Sequence, residues 1–599
     1  MVEALDRQVR QGRKVELMLE RFRRVAAALC AASALAAISS MPAAAAMPAA
    51  TGSANGITVG STVADAPLAA DLQVVDGKVE MTLDQALAIA LERNLGLRVL
   101  RYTRTQSWYS ILQAKGVFDL NLNGQVSASD ISTPAGSRLE SSSSKDQSWN
   151  LGLSQLLAET NGLTKVDFIN SRSESTSEFA TLNPRFDSSL RFAFIQPLLR
   201  NFGRSPATRA LRVARANNAA SGSDFEGQVS STIETVDFAY WRLVEAQEQL
   251  RVAQQSLGLA QELHQRNKIQ VDVGTLAPLE LVQSEAAIAT REEDIIRAEA
   301  AVGNAADQLR QLLDLPPGDL WSAEIVPTTQ PETDRISIDV DSAIATALAS
   351  RPEIRTQQSL NERLAIDAAF FRDQLKPTLD LNLGYRLSGL GGTLTRDETG
   401  APLPTPIRGG YSDALDQIRN RDFDGWSATL TLGVPIQNRA AKAGNVIARL
   451  DLERGELTLD QIKLQVTTEV RTAARAVVTA AKQIDAARIS VKFQERNLDA
   501  EKKRYENGMA TSFRINQVQD DLTQARSREV SAVVNYRTSL ATYYRVIGKL
   551  LEQENVQIDQ PEGDPPTPPC SDDAKDAKMK AAAPAASGTP AEPARSGGN

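Results

Sequence analysis

The sequence predicts a mixed α and β protein made of two similar halves, with period-2 strands set between very long helices. Three observations predict it: an internal repeat, four stretches of apolar-polar alternation, and helical patterns too long to fold back into a globule. The composition narrows the function before any motif is read. The 599 residues carry 66 Lys and Arg against 74 Asp and Glu, a net charge of -8, so nothing favours nucleic acid. One histidine and two cysteines leave little for zinc sites, Cys/His nucleophile pairs, disulfide scaffolds or Ser-His-Asp triads. Aromatic residues make up 5%, low for a chain of large globular cores. No phosphate loop, paired catalytic carboxylates or cofactor fingerprint stands out, so the chain is not expected to be an enzyme or to hold a cofactor or metal.

The repeat is legible by eye. Thr82-Leu83-Asp84-Gln85 opens a helix with a capping box, and Asp339-Val340-Asp341-Ser342 opens a similar one in the second half. Asp119-Leu120-Asn121-Leu122 recurs as Asp380-Leu381-Asn382-Leu383, and Gln196-Pro197-Leu198 is answered by Val434-Pro435-Ile436. Long helices follow in both halves, broken at Gly274 and at Gly508. The domains read as a signal peptide over 1–46, a flexible segment over 47–78, a first repeat over 79–315, a linker over 316–335, a second repeat over 336–555 and a disordered polar tail over 556–599.

The signal peptide rests on Arg21, Arg23 and Arg24, the apolar run from Val25 to Ile38 and the small residues ending at Ala46. Cys30 within it reads as an ordinary signal-peptide residue. No later stretch has about 18 consecutive apolar residues, so any membrane entry must use β-strands in a closed barrel.

Phe118, Leu120, Leu122 and Val126 alternate with polar neighbours. So do Leu379, Leu381, Leu383, Tyr385 and Leu387; then Leu190, Phe192 and Phe194; then Trp426, Ala428, Leu430, Leu432 and Val434. One apolar and one polar face fits a half-buried soluble sheet or a lipid-facing barrel, and the export signal favours the barrel. Leu120, Leu122, Leu381, Leu383, Leu430 and Leu432 are then the lipid-facing positions. Trp149 and Trp426 suit either an aromatic girdle or a core. A further pair of short strands is expected near Trp149–Leu153 and Thr164–Phe168, turning at Asn161-Gly162, with its relation to the membrane open. Polar loops are expected over 129–147 and 396–422.

The helical stretches over about 207–272 and 440–507 imply rods on the order of 100 Å long. Ile462, Val466, Val470, Ala473 and Val477 form one apolar stripe, and Ile515, Val518, Leu522 and Ala525 another. Their spacing suits coiled-coil packing. Four strands cannot close a barrel, since the smallest membrane barrels use eight, so several copies must share one.

Over about residues 80–552 the chain resembles the TolC-like outer-membrane factors of efflux and type I secretion systems. The duplicated plan carries the resemblance, with Gln196-Pro197-Leu198, Phe202-Gly203-Arg204, Val434-Pro435-Ile436-Gln437-Asn438-Arg439 and the hairpin tips around Gly274 and Gly508. It implies a homotrimeric duct: a twelve-stranded transmembrane barrel with four strands per chain, embedded in outer-membrane lipid and continued by a helical periplasmic tunnel. It implies a periplasmic adaptor (membrane fusion) protein and an inner-membrane pump as partners, and passive exit of cargo to the exterior. Gly274, Tyr505 and Gly508 match hairpin-tip positions that receive the adaptor. Glu280, Arg514 and Gln517 match the periplasmic gate, with Arg514 and Gln517 standing where better-known members carry acidic residues. A Glu280–Arg514 pair is expected if the tips are neighbours. The reading from another class is an exported coiled-coil scaffold or adhesin with no channel. His264, alone on a long helix, reads as solvated or packed between helices.

Overall fold

The computed structural model describes residues 59–61, 74–134, 143–177, 180–331, 333–394, 409–558 and 563–566. The expected signal peptide, Cys30 and Cys570 lie outside the described residues.

Each half begins with a helix pair. In the first, α1 (Leu83–Arg93) follows Thr82, whose hydroxyl accepts from the Gln85 backbone N–H while the Gln85 side chain accepts from the Thr82 N–H. Two orphan donors of the first turn are thus satisfied reciprocally. Asn94 then caps α2 (Leu95–Lys115) by accepting from the Leu97 N–H. The mass of the half is α3 (Arg209–Asp272), 64 residues without a break, which turns into α4 (Leu279–Leu313). The second half repeats the plan. Asp339 caps α5 (Val340–Ser350), and α6 (Pro352–Asp373) follows with proline in its first turn, where the missing N–H costs nothing. A short helix, α7 (Tyr411–Asn420), precedes the 68-residue α8 (Arg439–Glu506) and α9 (Ser512–Val546). At about 1.5 Å per residue, α3 and α8 each extend about 100 Å, as expected.

Two apolar clusters tie the helices at mid-height. One surrounds the fully buried Tyr240 and Trp241 of α3 with Met81, Ile89, Leu309 and Ile325. The Tyr240 hydroxyl donates to the Met81 carbonyl and accepts from the Thr329 N–H, so the ring closes over two strands, β2 (Lys78–Met81) and β7 (Glu324–Pro327), that pair in parallel. The other cluster packs Val466, Val470 and Val477 of α8 against Ala343 and Ala347 of α5 and Tyr536 of α9.

The segments read as flexible and as linker are partly ordered. Val59–Ser61 (β1) pairs antiparallel with Val556–Ile558 (β10), joining the residues expected to be free at both ends of the body. Farther along the tail, Asp564 forms ion pairs with Lys115 and Arg215, and Trp108 donates to the Gly563 carbonyl. β7 and a helical turn, Asp319–Ser322, occupy the linker. These contacts join distant parts of the chain, and no local periodicity announces them.

One large antiparallel sheet holds β3 (Asn121–Ser132), β4 (Ser143–Leu156), β5 (Leu163–Ser175), β6 (Leu182–Pro197), β8 (Thr378–Leu394) and β9 (Asp424–Gly433), in that spatial order. The sheet thus holds six strands, the four expected from alternation and the further pair. The two short strands foreseen near 149–168 extend to 14 and 13 residues and lie between β3 and β6. Their outer ends are polar, Ser143–Gln147 on β4 and Asn170–Ser175 on β5, which hides the alternation; pairing on both sides keeps them extended. The expected turn is present, with Asn161 left-handed at φ +59°. The expected loops are correspondingly shorter: Ser129–Ser132 and Ser143–Gln147 belong to strands, and α7 occupies part of 396–422.

Asp237, one turn from Trp241 on α3, is buried, and its carboxylate accepts from the Trp241 indole N–H. Burial pushes its pKa up to about 7 from 3.8, with Glu554 adding to the rise. The folded chain then holds this proton more tightly than the unfolded chain. Its contribution to stability is present below about pH 4 and lost as pH rises to about 7. Asp237→Asn, which mimics the protonated form, should lose that dependence. Melting curves at pH 5 and pH 8 should show the variant gaining on the parent at the higher pH.

Candidate functional site: a two-faced sheet and paired helix tips

Residues directly opposite in an antiparallel pair share a face, so the register shows what each face presents. Leu122 pairs with Leu153, Leu153 with Val166, Val166 with Phe192, Phe192 with Tyr385 and Tyr385 with Trp426. This is one apolar row across all six strands. The row beside it runs Leu151, Phe168, Leu190 and Leu387. The opposite face reads Asn123, Gly152, Asp167, Arg191, Arg386 and Gly425 along one row, and Ser154, Lys165, Ala193, Gly384 and Ser427 along the next.

The structure brings Leu122, Leu381, Leu383, Leu430 and Leu432 to the apolar face, and Leu120 stands one residue before β3 on the same alternation. Leu381 is paired with Leu430, and Leu432 with Leu379. Trp426 is 80% exposed on this face, whereas Trp149 packs edge-on against Phe168 and beside Tyr411. The two sheet edges stand open: every residue of β3 is exposed, and all of β9 but Gly433.

At the far end of the long helices, two turns of the same design meet. Gly274 and Gly508 have φ +73° and +74°, the left-handed region that a side chain resists. In one turn Gly274 N–H donates to Val271 and Thr275 N–H to Gln270; in the other Gly508 donates to Tyr505 and Met509 to Arg504. Each is a Schellman ending, which satisfies the last carbonyls of the incoming helix.

Tyr505 is not presented at the surface. It is 6% exposed, and its hydroxyl lies 2.5 Å from Asn267 Oδ1 and 3.0 Å from Gln270 Oε1 on the other hairpin. Within one copy the side chain ties one hairpin to the other. Burial pushes its phenol above the ordinary value, and Glu280 adds to the shift. Glu280 accepts from the Ser512 hydroxyl at the start of α9, while Arg514 Nη1 donates to Gln517 Oε1 at 2.7 Å on the exposed side of that helix. The expected Glu280–Arg514 pair is not formed within the chain.

Other polar contacts bind the hairpins. Arg291 Nη2 reaches Asp520 at 2.5 Å, Arg266 reaches Glu506 at 2.9 Å, and Thr523 and Ser256 share a hydrogen bond of 3.0 Å. His264 bonds Ser284 across its own hairpin at 2.8 Å. Sequence reasoning missed Asn267, Gln270 and Ser512 because a polar residue that interrupts an apolar stripe looks solvated. Among the described residues no helix is long and apolar enough to cross a membrane, and no His/Cys/Asp/Glu cluster suits a metal.

The chain is matched over residues 195–314 and 343–549 by the family model for outer membrane efflux protein, more than half of its length. No curated protein matches it in sequence. Its fold is similar to that of the outer-membrane channel OprN, with a TM-score of 0.57 and 16% identity over 78% of this chain and 89% of that one. It is similar also to the CmeC outer membrane channel of Campylobacter jejuni, with a TM-score of 0.56 and 15% identity over 84% of this chain and 89% of the other. The outer membrane protein VceC of Vibrio cholerae gives 0.56 and 13% identity over 78% and 96%. The match in sequence and the likeness in fold agree: the chain belongs to the outer membrane efflux protein family, the TolC-like outer-membrane channels.

Proposed function

We propose that this protein is the passive exit duct of a tripartite efflux or type I secretion system, assembled as a homotrimer. One observation carries the reading: a sheet with one apolar and one polar face, open at both edges, runs directly into helices about 100 Å long. The apolar face meets lipid and the polar face lines water. A scaffold or adhesin gains nothing from such a sheet, and that alternative is not favoured. The periplasmic tips receive an adaptor protein through the turns at Gly274 and Gly508, flanked by the exposed Val273, Met509 and Phe513. An inner-membrane pump supplies the energy; the sequence itself carries no phosphate-loop motif. Glu280, Arg514 and Gln517 belong to the periplasmic gate; Arg514 and Gln517, exposed on α9, face neighbouring copies.

Fractionation tests the location directly. The protein should sediment with outer membranes as an oligomer, and recovery as a soluble periplasmic monomer would defeat the reading. Leu381→Arg or Leu430→Arg should impair assembly, since an arginine at mid-bilayer on a barrel's lipid face costs about 2–4 kcal/mol, repeated in every copy. Asn382→Arg, on the polar face, should assemble normally. Heat-modifiable oligomer bands on gels report all three.

The tips give a separate test. Tyr505→Phe removes the hydroxyl shared with Asn267 and Gln270, leaving a buried amide short of a partner at a cost of about 1–3 kcal/mol. Single-channel recordings should show more frequent opening than the parent. Unchanged opening would mean that the Tyr505 lock does not hold the gate.

A further inference from the structure

We propose that the assembled barrel has eighteen strands, six from each of three copies, with the β4–β5 hairpin built into the membrane wall. The proposal rests on the trimeric-duct reading and departs from the twelve strands that the family resemblance implies.

The hairpin cannot be set aside from the sheet. β4 is paired with β3 from Asn121↔Ser154 to Ser132↔Ser143, and with β5 from Ser144↔Ser175 to Leu156↔Leu163. β5 is paired with β6 from Leu163↔Ile195 to Ser173↔Arg185. β3 has no other partner in the sheet. Lifting the hairpin out of the bilayer would strand β3 from β6 and leave both with unpaired backbone groups, which lipid does not tolerate. If β3 and β6 span, β4 and β5 span with them.

The side chains agree. The hairpin carries Leu151 and Leu153 with Val166 and Phe168 on the apolar face, in the same rows as Leu190, Phe192 and Leu387, and Trp149 on that face in the row beyond. A hairpin resting outside the membrane would have no need of that band.

The repeat shows what was added. β3 and β8 begin with the same Asp-Leu-Asn-Leu landmark, and β6 and β9 end at the Gln-Pro-Leu and Val-Pro-Ile landmarks. In the second half β8 pairs directly with β9; in the first, two strands stand between β3 and β6. Six strands still cannot close alone, so the exposed β9 edge of one copy takes the exposed β3 edge of the next. Both edges bring apolar residues to the same face, Leu122 and Val126 on β3 and Trp426, Leu430 and Leu432 on β9. With strands about 4.8 Å apart and tilted about 40°, eighteen close at a backbone diameter of about 36 Å, against about 24 Å for twelve.

Spin labels on the full-length oligomer in lipid vesicles test this, with Cys30 and Cys570 replaced by serine. Labels at Leu151→Cys and Val166→Cys should be relaxed by oxygen, which concentrates in hydrocarbon, more than by a water-soluble nickel chelate. Ser154→Cys and Lys165→Cys should show the reverse. Leu383→Cys and Asn382→Cys on β8 serve as references. Nickel relaxation at all four hairpin sites, with Leu383→Cys still dominated by oxygen, would place the hairpin outside the bilayer and overturn the eighteen-strand barrel. Nickel relaxation at Leu383→Cys as well would overturn the membrane reading itself. Native mass spectrometry of the same sample should count three copies, and any other number overturns the total.

Discussion

A strand in lipid must find a partner for every backbone N–H and C=O, and the two open edges of this sheet, β3 and β9, are where that demand is unmet within one chain. Most of the architecture follows from it. In the duct proposed above closure comes from other copies, and identical copies close as a ring. The register has to be strict, because a slip of one residue would turn the apolar row from Leu122 to Trp426 toward water. The tandem repeat has to fuse into one sheet, and it does so where β6 of the first half pairs with β8 of the second over most of their length. That seam is the only place where the halves meet as strands of the large sheet, among the described residues.

The helices answer a different demand. Rods of this length cannot bury a wide apolar face within one chain, so their packing is narrow and rich in alanine, and polar bonds take over toward the tips. Around Leu263, Leu498, Ile515 and Val518 a small apolar cluster remains, bordered by Tyr505 with Asn267 and by Arg291 with Asp520. A cross-hairpin contact made of hydrogen bonds is easier to exchange than a packed core, because water can replace each partner in turn. Stability is concentrated at mid-height, where Tyr240 and Trp241 are fully buried and Arg537 stacks over the Trp241 ring at 5.2 Å. The proposed duct, opening at its tips while staying assembled, would use that division.

The sequence disclosed what local periodicity controls. The capping box at Thr82, the helix breaks at Gly274 and Gly508, the long helices and the strands with unbroken alternation all lie where they were expected. It disclosed less where long-range pairing decides. β4 and β5 have a short apolar middle and polar ends, and only partners on both sides extend them to full strands. β1 and β10 are three residues each and exist through one another. Helix α7 lies in a stretch rich in Gly, Pro and Asp that reads as loop; its faces make sense only against the sheet, with Ala414 and Ile418 buried and Ser412, Asp416 and Arg419 exposed. Tyr505 was legible as a tip residue, but its buried partners sit on a helix more than 200 residues earlier, and no spacing rule connects them.

The two features that distinguish the halves are also in contact with each other. The first half carries the added hairpin, and the second carries α7. That helix lies across the apolar face at the end of the sheet away from the long helices. A Cβ at Gly389 would lie 1.8 Å from the Ala414 carbonyl oxygen, and one at Gly391 2.2 Å from that of Gly410, so β8 is bare there to admit the helix. From its first residue, Tyr411 donates to Asn170 Oδ1 of β5 at 2.9 Å and sets its ring beside Trp149 of β4 and Phe186 of β6. Val126, Trp149, Asn170, Ser188 and Gly389 form a single row across the sheet, so one helix packs on the second repeat and, through Tyr411, touches the inserted strands at one level. Its exposed charges are incompatible with hydrocarbon, so on the membrane reading proposed above this row lies where the lipid ends. Two strands added to a wall would otherwise leave a rim free to splay. In the eighteen-strand barrel proposed above, a helix packed on the glycines of β8, with Tyr411 at its start reaching the hairpin, would hold the wider wall in register there.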